Sequence, residues 1–263
     1  MTLTGGYRLY FCPYSLLPKI MMTLHVLGIP FTFDNKNDIL YPVILRDQHH
    51  RILIDCGYAG FMPLLETAAN QHGLSLADLT GILISHHDID HVGGLYELKR
   101  EYPSLTVYAS SIEAPSINGQ VKSARLQQAE ALHDLLPEEQ KPGAIAFQEM
   151  LKRIQPVNVD VIFSDAQPTR WEDVQIIDTP GHTPGHISVY LPGSRTLIAC
   201  DALVIEDGSF NIANPQFAID LKQAVDSARK LQSLAIERVV CYHGGVMEGN
   251  IQQKLSDLID RYA

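Results

Sequence analysis

Apolar residues recur along this chain in two rhythms. Over residues 7–11, 21–27, 41–46 and 51–55 they form short or alternating runs, each cut by Pro, Gly, Asn or Asp. Such runs predict strands, because side chains of an extended chain face opposite ways in turn and breaker residues end each segment. Residues 61–72 and 76–80 read as helical and lead into an unbroken apolar strand at 81–85. Leu95–Tyr102 predicts a short helix stopped before Pro103, with a strand at Leu105–Ala109. Residues 110–157 are the least regular. Within them Ala124–Leu136 carries apolar residues at 124, 126, 129, 131, 132, 135 and 136, the spacing of an amphipathic helix. Pro137 and Pro142-Gly143 punctuate it, and 144–154 resumes as helix. Strands follow at 157–163, 174–178, 186–191 and 196–200, then a helix at Asp220–Ala235, a final buried strand at Arg238–Tyr242 and a closing helix at Glu248–Tyr262. Strand-helix alternation after an antiparallel start predicts a layered α/β fold.

The stretch 82–94 departs from this pattern. Ile82-Leu83-Ile84 ends a buried strand, and six residues then include His86, His87, Asp88, Asp90 and His91 before Gly93-Gly94 opens a helix. A buried strand emptying into polar residues is poor core design and good site design, since strand ends hold reactive groups on a rigid frame. Mixed imidazole and carboxylate suit zinc, iron or manganese. In an extended segment His86, Asp88 and Asp90 face one way while His87 and Ile89 face the other, and His91 turns in as the helix begins.

His86-x-Asp88-x-Asp90-His91 resembles the metal motif His-x-His-x-Asp-His of the metallo-β-lactamase-fold hydrolases, with Asp88 replacing the second histidine. The family's later ligands have counterparts in His182 of Thr-Pro-Gly-His-Thr-Pro-Gly-His, Asp201 of Ala-Cys-Asp-Ala and His243 of Cys-Tyr-His-Gly-Gly. The resemblance covers nearly the whole chain. It implies an αββα sandwich over residues 1–263, one domain with a helical insertion at about 110–157 that covers the site or forms a subunit contact. It implies two divalent ions: one at His86, Asp88 and His182, one at Asp90, His91 and His243, with Asp201 bridging. Zinc is the first expectation. Asp88 adds negative charge and a harder donor, which favours iron or manganese. Asp90 is the candidate for handling the proton. Asp55, in the loop Asp55-Cys-Gly57, would lie beside the ligands or only cap a turn. His186 would orient a ligand or serve packing, Tyr58 and Tyr242 are candidates for lining the substrate pocket, and His87 reads as structural.

Composition narrows the function. Thirty acidic against 20 basic residues give a net charge of −10. That charge, with no basic stripe, disfavours a nucleic-acid partner and favours a small-molecule substrate. No run approaches the ~18 apolar residues of a membrane span, and the start lacks a basic region followed by an apolar run, so a cytoplasmic protein is expected. Cys12, Cys56, Cys200 and Cys241 lack paired spacing and read as reduced thiols. The leading expectation is a dinuclear metallohydrolase that cleaves an ester, lactone or thioester. A di-iron oxidoreductase, motivated by Asp88, and a non-catalytic metal-binding protein are the alternatives. A homodimer through 110–157 stays open.

Overall fold

The computed structural model describes residues 22–33, 36–163 and 169–263. The strand expected at 7–11 and Cys12 lie outside them. The first half contains β1 (Thr23–Val26), the hairpin of β2 (Ile29–Phe33) and β3 (Lys36–Leu40), β4 (Val43–Arg46), β5 (Arg51–Ile54), α1 (Met62–Gln71), β6 (Gly81–Leu83), α2 (Ile89–Val92), α3 (Leu95–Glu101) and β7 (Thr106–Ser110). The helices α4 (Ala114–Ile117), α5 (Ala124–His133) and α6 (Lys141–Lys152) then lead to β8 (Val161–Phe163). The second half contains β9 (Gln175–Asp178), β10 (Ile187–Leu191), β11 (Thr196–Cys200), the hairpin of β12 (Val204–Glu206) and β13 (Ser209–Asn211), α7 (Leu221–Leu231), β14 (Arg238–Cys241), β15 (Gly245–Glu248) and α8 (Ile251–Asp260).

Two sheets carry the fold. The first runs β1-β4-β5-β6-β7-β8, antiparallel through β5 and parallel from β5 onward. The second runs β15-β14-β11-β10-β9, with β11 and β14 its parallel pair. Strand alternation sorts residues between separate cores. Ile44, Leu53 and Ile82 pack with Leu65 of α1 and Leu98 of α3. Their neighbours Val43, Leu45, Ile52, Ile54 and Leu83 face the other sheet and meet Val189, Leu191, Ile198 and Val240. Leu197 and Val239 point outward to Ala228 and Leu231 of α7 and Leu255 and Leu258 of α8. Three cores between four layers make the αββα sandwich. A one-residue slip in β5 would swap both faces at once, so the register is strongly held.

Several elements differ from the periodicity reading. The hairpins β2–β3 and β12–β13 and the strand β15 were not expected, and Arg238–Tyr242 is therefore not the last strand. In β3 the residues Asn37, Asp38 and Ile39 are exposed, so no apolar run marks it. β15 opens at Gly245, and Gly244 and Gly245 are both at positive φ where the chain reverses. The closing helix accordingly begins at Ile251. Residues 76–78 form only a 3-10 turn, in which Ser75 accepts from the Ala77 N–H. The strand expected at 157–163 is shortened to β8, because the Val157 N–H bonds to Ile117 O. α6 begins earlier than expected, at Lys141, since Pro142 falls in the first turn, where its missing N–H costs nothing. Residues 111–160 are thus the crossover between the parallel strands β7 and β8.

Candidate metal centre

The seven residues come from strand ends that meet along one rim of the sandwich. Ile84 still bonds to Tyr108 O, after which the chain leaves β6 and carries His86 and Asp88 into a loop. Asp88 stands at the N-terminus of α2, which holds Asp90 and His91. His182 lies in the β9–β10 loop, Asp201 directly follows β11, and His243 closely follows β14. Cys200 takes φ 48°, a left-handed turn rare outside glycine and asparagine, and so swings Asp201 inward. Gly181 sets the His182 loop against α7. Its φ is 133°, and a Cβ there would lie 2.1 Å from the Ala224 nitrogen.

Among the described residues, ligand-type atoms gather in three triads, each within 4.8 Å: His86–Asp88–His182, His86–His91–Asp201 and Asp90–His91–His243. His182 Nε2 lies 3.0 Å from Asp88 Oδ2 and 3.5 Å from Asp201 Oδ2. His243 Nε2 lies 3.1 Å from Asp90 Oδ2 and 3.7 Å from Asp201 Oδ2, and His91 Nε2 lies 3.4 Å from Asp201 Oδ1. Asp201 therefore stands between both groups. Donors about 2.1 Å from a tetrahedral ion are ~3.4 Å apart, which matches this spacing.

The proton arrangement fits as well. Asp55, fully buried at φ 59°, accepts the Ser85 N–H at 2.8 Å and the Ser85 hydroxyl at 2.7 Å. It lies 2.8 Å from His91 Nδ1, which must therefore carry the proton. Ser85 Oγ, its hydrogen used on Asp55, accepts in turn from His86 Nδ1 at 2.9 Å. One carboxylate thus fixes two imidazoles and leaves a lone pair on each Nε2. His86 Nε2, His91 Nε2 and Asp201 Oδ1 are buried without a hydrogen-bond partner among the described residues. Buried acceptors left unmatched cost about 1–3 kcal/mol each, and a shared cation would satisfy all three. Electrostatics agrees. Burial opposes charge on His91, yet Asp201, Asp90 and Asp55 push it well above its usual range. Burial likewise opposes charge on His243, and Asp201 and Asp90 still raise it to about 9. A pocket that draws protons so strongly draws divalent cations too.

Around this centre, His186 is buried and held down to about 3, chiefly by burial and then by His182. Its Nδ1 faces Thr179 Oγ1 at 2.9 Å, and its Nε2 accepts the Asp201 N–H at 3.0 Å, so it orients Asp201 through the backbone. His87 points away from the triads into Glu113, with which it makes a short contact. Glu113 also accepts from Thr183 and the Gly185 N–H, tying the first motif to the His182 loop. Tyr242 is buried against His91, with ring centroids 4.0 Å apart. It donates to Asp90 O at 2.7 Å and accepts the Gly57 N–H at 3.1 Å, and it does not line the cavity. Tyr58 does line it. Cys56, Cys200 and Cys241 are buried free thiols, pushed well above their usual range chiefly by burial.

Sequence reasoning missed Arg125. This side chain, 6% exposed, comes from the first turn of α5 and forks onto Asp88, Nη2 to Oδ2 at 2.6 Å and Nε to both oxygens at 3.1 Å. Burial acts to raise the Asp88 pKa, but Arg125 and then His182 hold it well below the usual carboxylate range. Beyond lies a cavity of about 880 Å³. Asp88, Asp90, His182, Asp201 and His243 form its floor, and Leu132, Leu136, Phe147, Met150 and Leu151 of the crossover segment form an apolar wall. No helix among the described residues is long and apolar enough to cross a membrane.

The family model of the metallo-beta-lactamase superfamily matches residues 41–243. The chain is 27% identical over 233 residues to the probable metallo-hydrolase YflN of Bacillus subtilis (strain 168), covering 82% of this chain and 83% of that one. It is 26% identical over 219 residues to a hydroxyacylglutathione hydrolase of Pectobacterium carotovorum (strain PC1), covering 83% of this chain and 64% of that longer one. A metallo-beta-lactamase family protein of Thermus thermophilus superposes with a TM-score of 0.70 at 21% identity, over 91% of this chain and 79% of the other. Such a likeness carries the fold, and the sequence match across both halves of the rim carries the family. The chain belongs to the metallo-beta-lactamase superfamily and is a metallohydrolase.

Proposed function

We propose that this protein hydrolyses a small ester, lactone or thioester with an apolar acyl part, using divalent metal held by His86, Asp88, Asp90, His91, His182, Asp201 and His243. The observation that carries this reading is the convergence of three unpartnered buried acceptors, His86 Nε2, His91 Nε2 and Asp201 Oδ1, beside a cavity floored by four more ligand-type residues. Two divalent ions held by these residues would supply a water with its pKa lowered toward about 7 and a polarised carbonyl. Asp90, at the cavity floor and 3.1 Å from His243, takes up the water's proton and returns one to the departing oxygen or sulfur. Asp55 and Ser85 hold the two imidazoles in one tautomer throughout. The apolar wall of α5 and α6 receives the acyl part and excludes bulk water from the carbonyl.

Zinc is the proposed metal. The case for iron and a redox role rested on the charge of Asp88, and Arg125 offsets that charge in an ion pair. The net charge of −10 favours a small metabolite over a nucleic acid, and a cytoplasmic location remains part of the proposal. A panel of esters, lactones and thioesters with graded acyl length, run on zinc-, manganese- and iron-loaded protein, tests it. kcat/KM should rise with acyl length within one leaving-group series and be highest with zinc. Absence of hydrolysis across the panel from protein shown to hold metal would refute the reading.

A further inference from the structure

The two groups of ligand-type residues are not electrostatically equivalent. Among the described residues, the ion pairs of Asp90 and Asp201 are with histidines alone. Neither of these carboxylates is in a direct ion pair with a lysine or arginine among the described residues, and Arg125 reaches them only through the longer-range field that it also exerts on Asp88. Asp88, by contrast, has both oxygens taken by a guanidinium. Nη2 of Arg125 also lies 3.3 Å from His182 Nε2, so the guanidinium stands at the edge of the His86–Asp88–His182 triad.

Arg125 is built into this place. Its Nη1 donates to Gln128 Oε1 at 2.8 Å and to Phe217 O, so the fork is held from behind. Its backbone N–H donates to His87 Nε2 at 3.2 Å, which ties the start of α5 to the same loop that carries His86 and Asp88. Ser123 caps the helix by accepting the Leu126 N–H at 3.2 Å. A guanidinium so anchored cannot lose its charge, and cannot leave Asp88 without breaking several contacts.

We propose that Arg125 makes the two metal positions unequal: with Asp201 shared between them, the position at Asp90, His91 and His243 fills first and tightly, and the position at His86, Asp88 and His182 fills second and weakly. This rests on the ligand set proposed above. The physical cause is twofold. An ion at the first triad meets a ligand carboxylate whose charge is already offset, and it must approach a fixed positive charge. At low metal, Arg125 is the cation at Asp88, and the protein holds one ion per chain. Partners of metal ligands commonly tune affinity by about 10–100-fold, and that is the separation expected between the two dissociation constants.

Zinc titration of the metal-free full chain against a chromophoric chelator tests this. Wild type should show one tight and one weak ion, about 10–100-fold apart. Arg125→Gln should tighten the weak ion toward the first and leave the tight one unchanged, and Arg125→Lys, which keeps the charge but not the fork, should fall between. His243→Ala should remove the tight ion. Should Arg125→Gln fail to fold without metal, the Lys variant alone decides the direction. Two equally tight ions in wild type, unchanged in Arg125→Gln, would overturn the inequality and leave the ligand set standing. A tight ion that survives His243→Ala would overturn the ligand set and this inference with it.

Discussion

Replacing Asp55 by asparagine probes how the centre is held. The two side chains are nearly the same shape, and asparagine accepts the left-handed backbone, φ 59° here, better than most residues. The change is in donors and acceptors. Asp55 accepts three hydrogen bonds, from the Ser85 N–H, the Ser85 hydroxyl and His91 Nδ1. If the amide oxygen keeps the Ser85 N–H, the NH2 group faces Ser85 Oγ and His91 Nδ1, both of which were donors. The hydroxyl can rotate. The imidazole must move its proton to Nε2, the atom that faces Asp201 and Asp90. Losing that lone pair should cost about 10–100-fold in metal affinity, or ~1.4–2.7 kcal/mol at 1.36 kcal/mol per tenfold. Loss of the charge-assisted bonds should cost about 1.5–3 kcal/mol of fold stability, lowering Tm by ~3–12 °C at this chain length. Chelator competition reads the first quantity, and calorimetry of the metal-free protein reads the second. Wild-type zinc affinity in a folded Asp55→Asn protein would refute the tautomer argument.

Other expectations follow from single contacts. Gly181→Ala places a Cβ 2.1 Å from the Ala224 nitrogen in a left-handed backbone, so the His182 loop must shift; Tm should fall by several degrees and metal bound per chain should drop, and an unchanged metal content would contradict it. Tyr242→Phe strands the Gly57 N–H and Asp90 O; thermal unfolding should show a loss of about 1–3 kcal/mol, while a variant as stable as wild type would show these bonds to be idle. Ala129→Phe adds a ring to the apolar wall; kcat/KM for long acyl substrates should drop at least ~10-fold with short ones nearly unchanged, the discrimination expected of a pocket, and an equal loss on both would place the acyl group elsewhere.

The fold and the clustering of the candidate ligands were legible for a shared reason. His86, Asp88, Asp90, His91, His182, Asp201 and His243 each follow a strand, and a strand is visible as an apolar run. Alternation along those runs also sorts the cores. Alternation likewise bears on Tyr242, which as the neighbour of His243 faces the other way and lies under His91, not in the cavity. Asp55 could be placed near the site but not given its task, because its partners are set by the third dimension. Arg125 and Glu113 were invisible for that reason. Each acts on a residue far along the chain, Asp88 at a separation of 37 and His87 at 26. An arginine in the first turn of a helix carries no local mark of its partner. β2, β3, β12, β13 and β15 escaped because two of their hairpins are partly exposed and the third turns on glycines.

The crossover between β7 and β8 supplies both the apolar wall of the cavity and the guanidinium on Asp88. On the proposed reading, substrate preference and metal demand are therefore inherited together. Trading this segment for that of another hydrolase on the same scaffold would replace the acyl pocket and also change how much metal the recipient needs. A graft that keeps the wall but omits Arg125 should remake specificity and, at the same stroke, alter the metal concentration at which the enzyme becomes fully loaded.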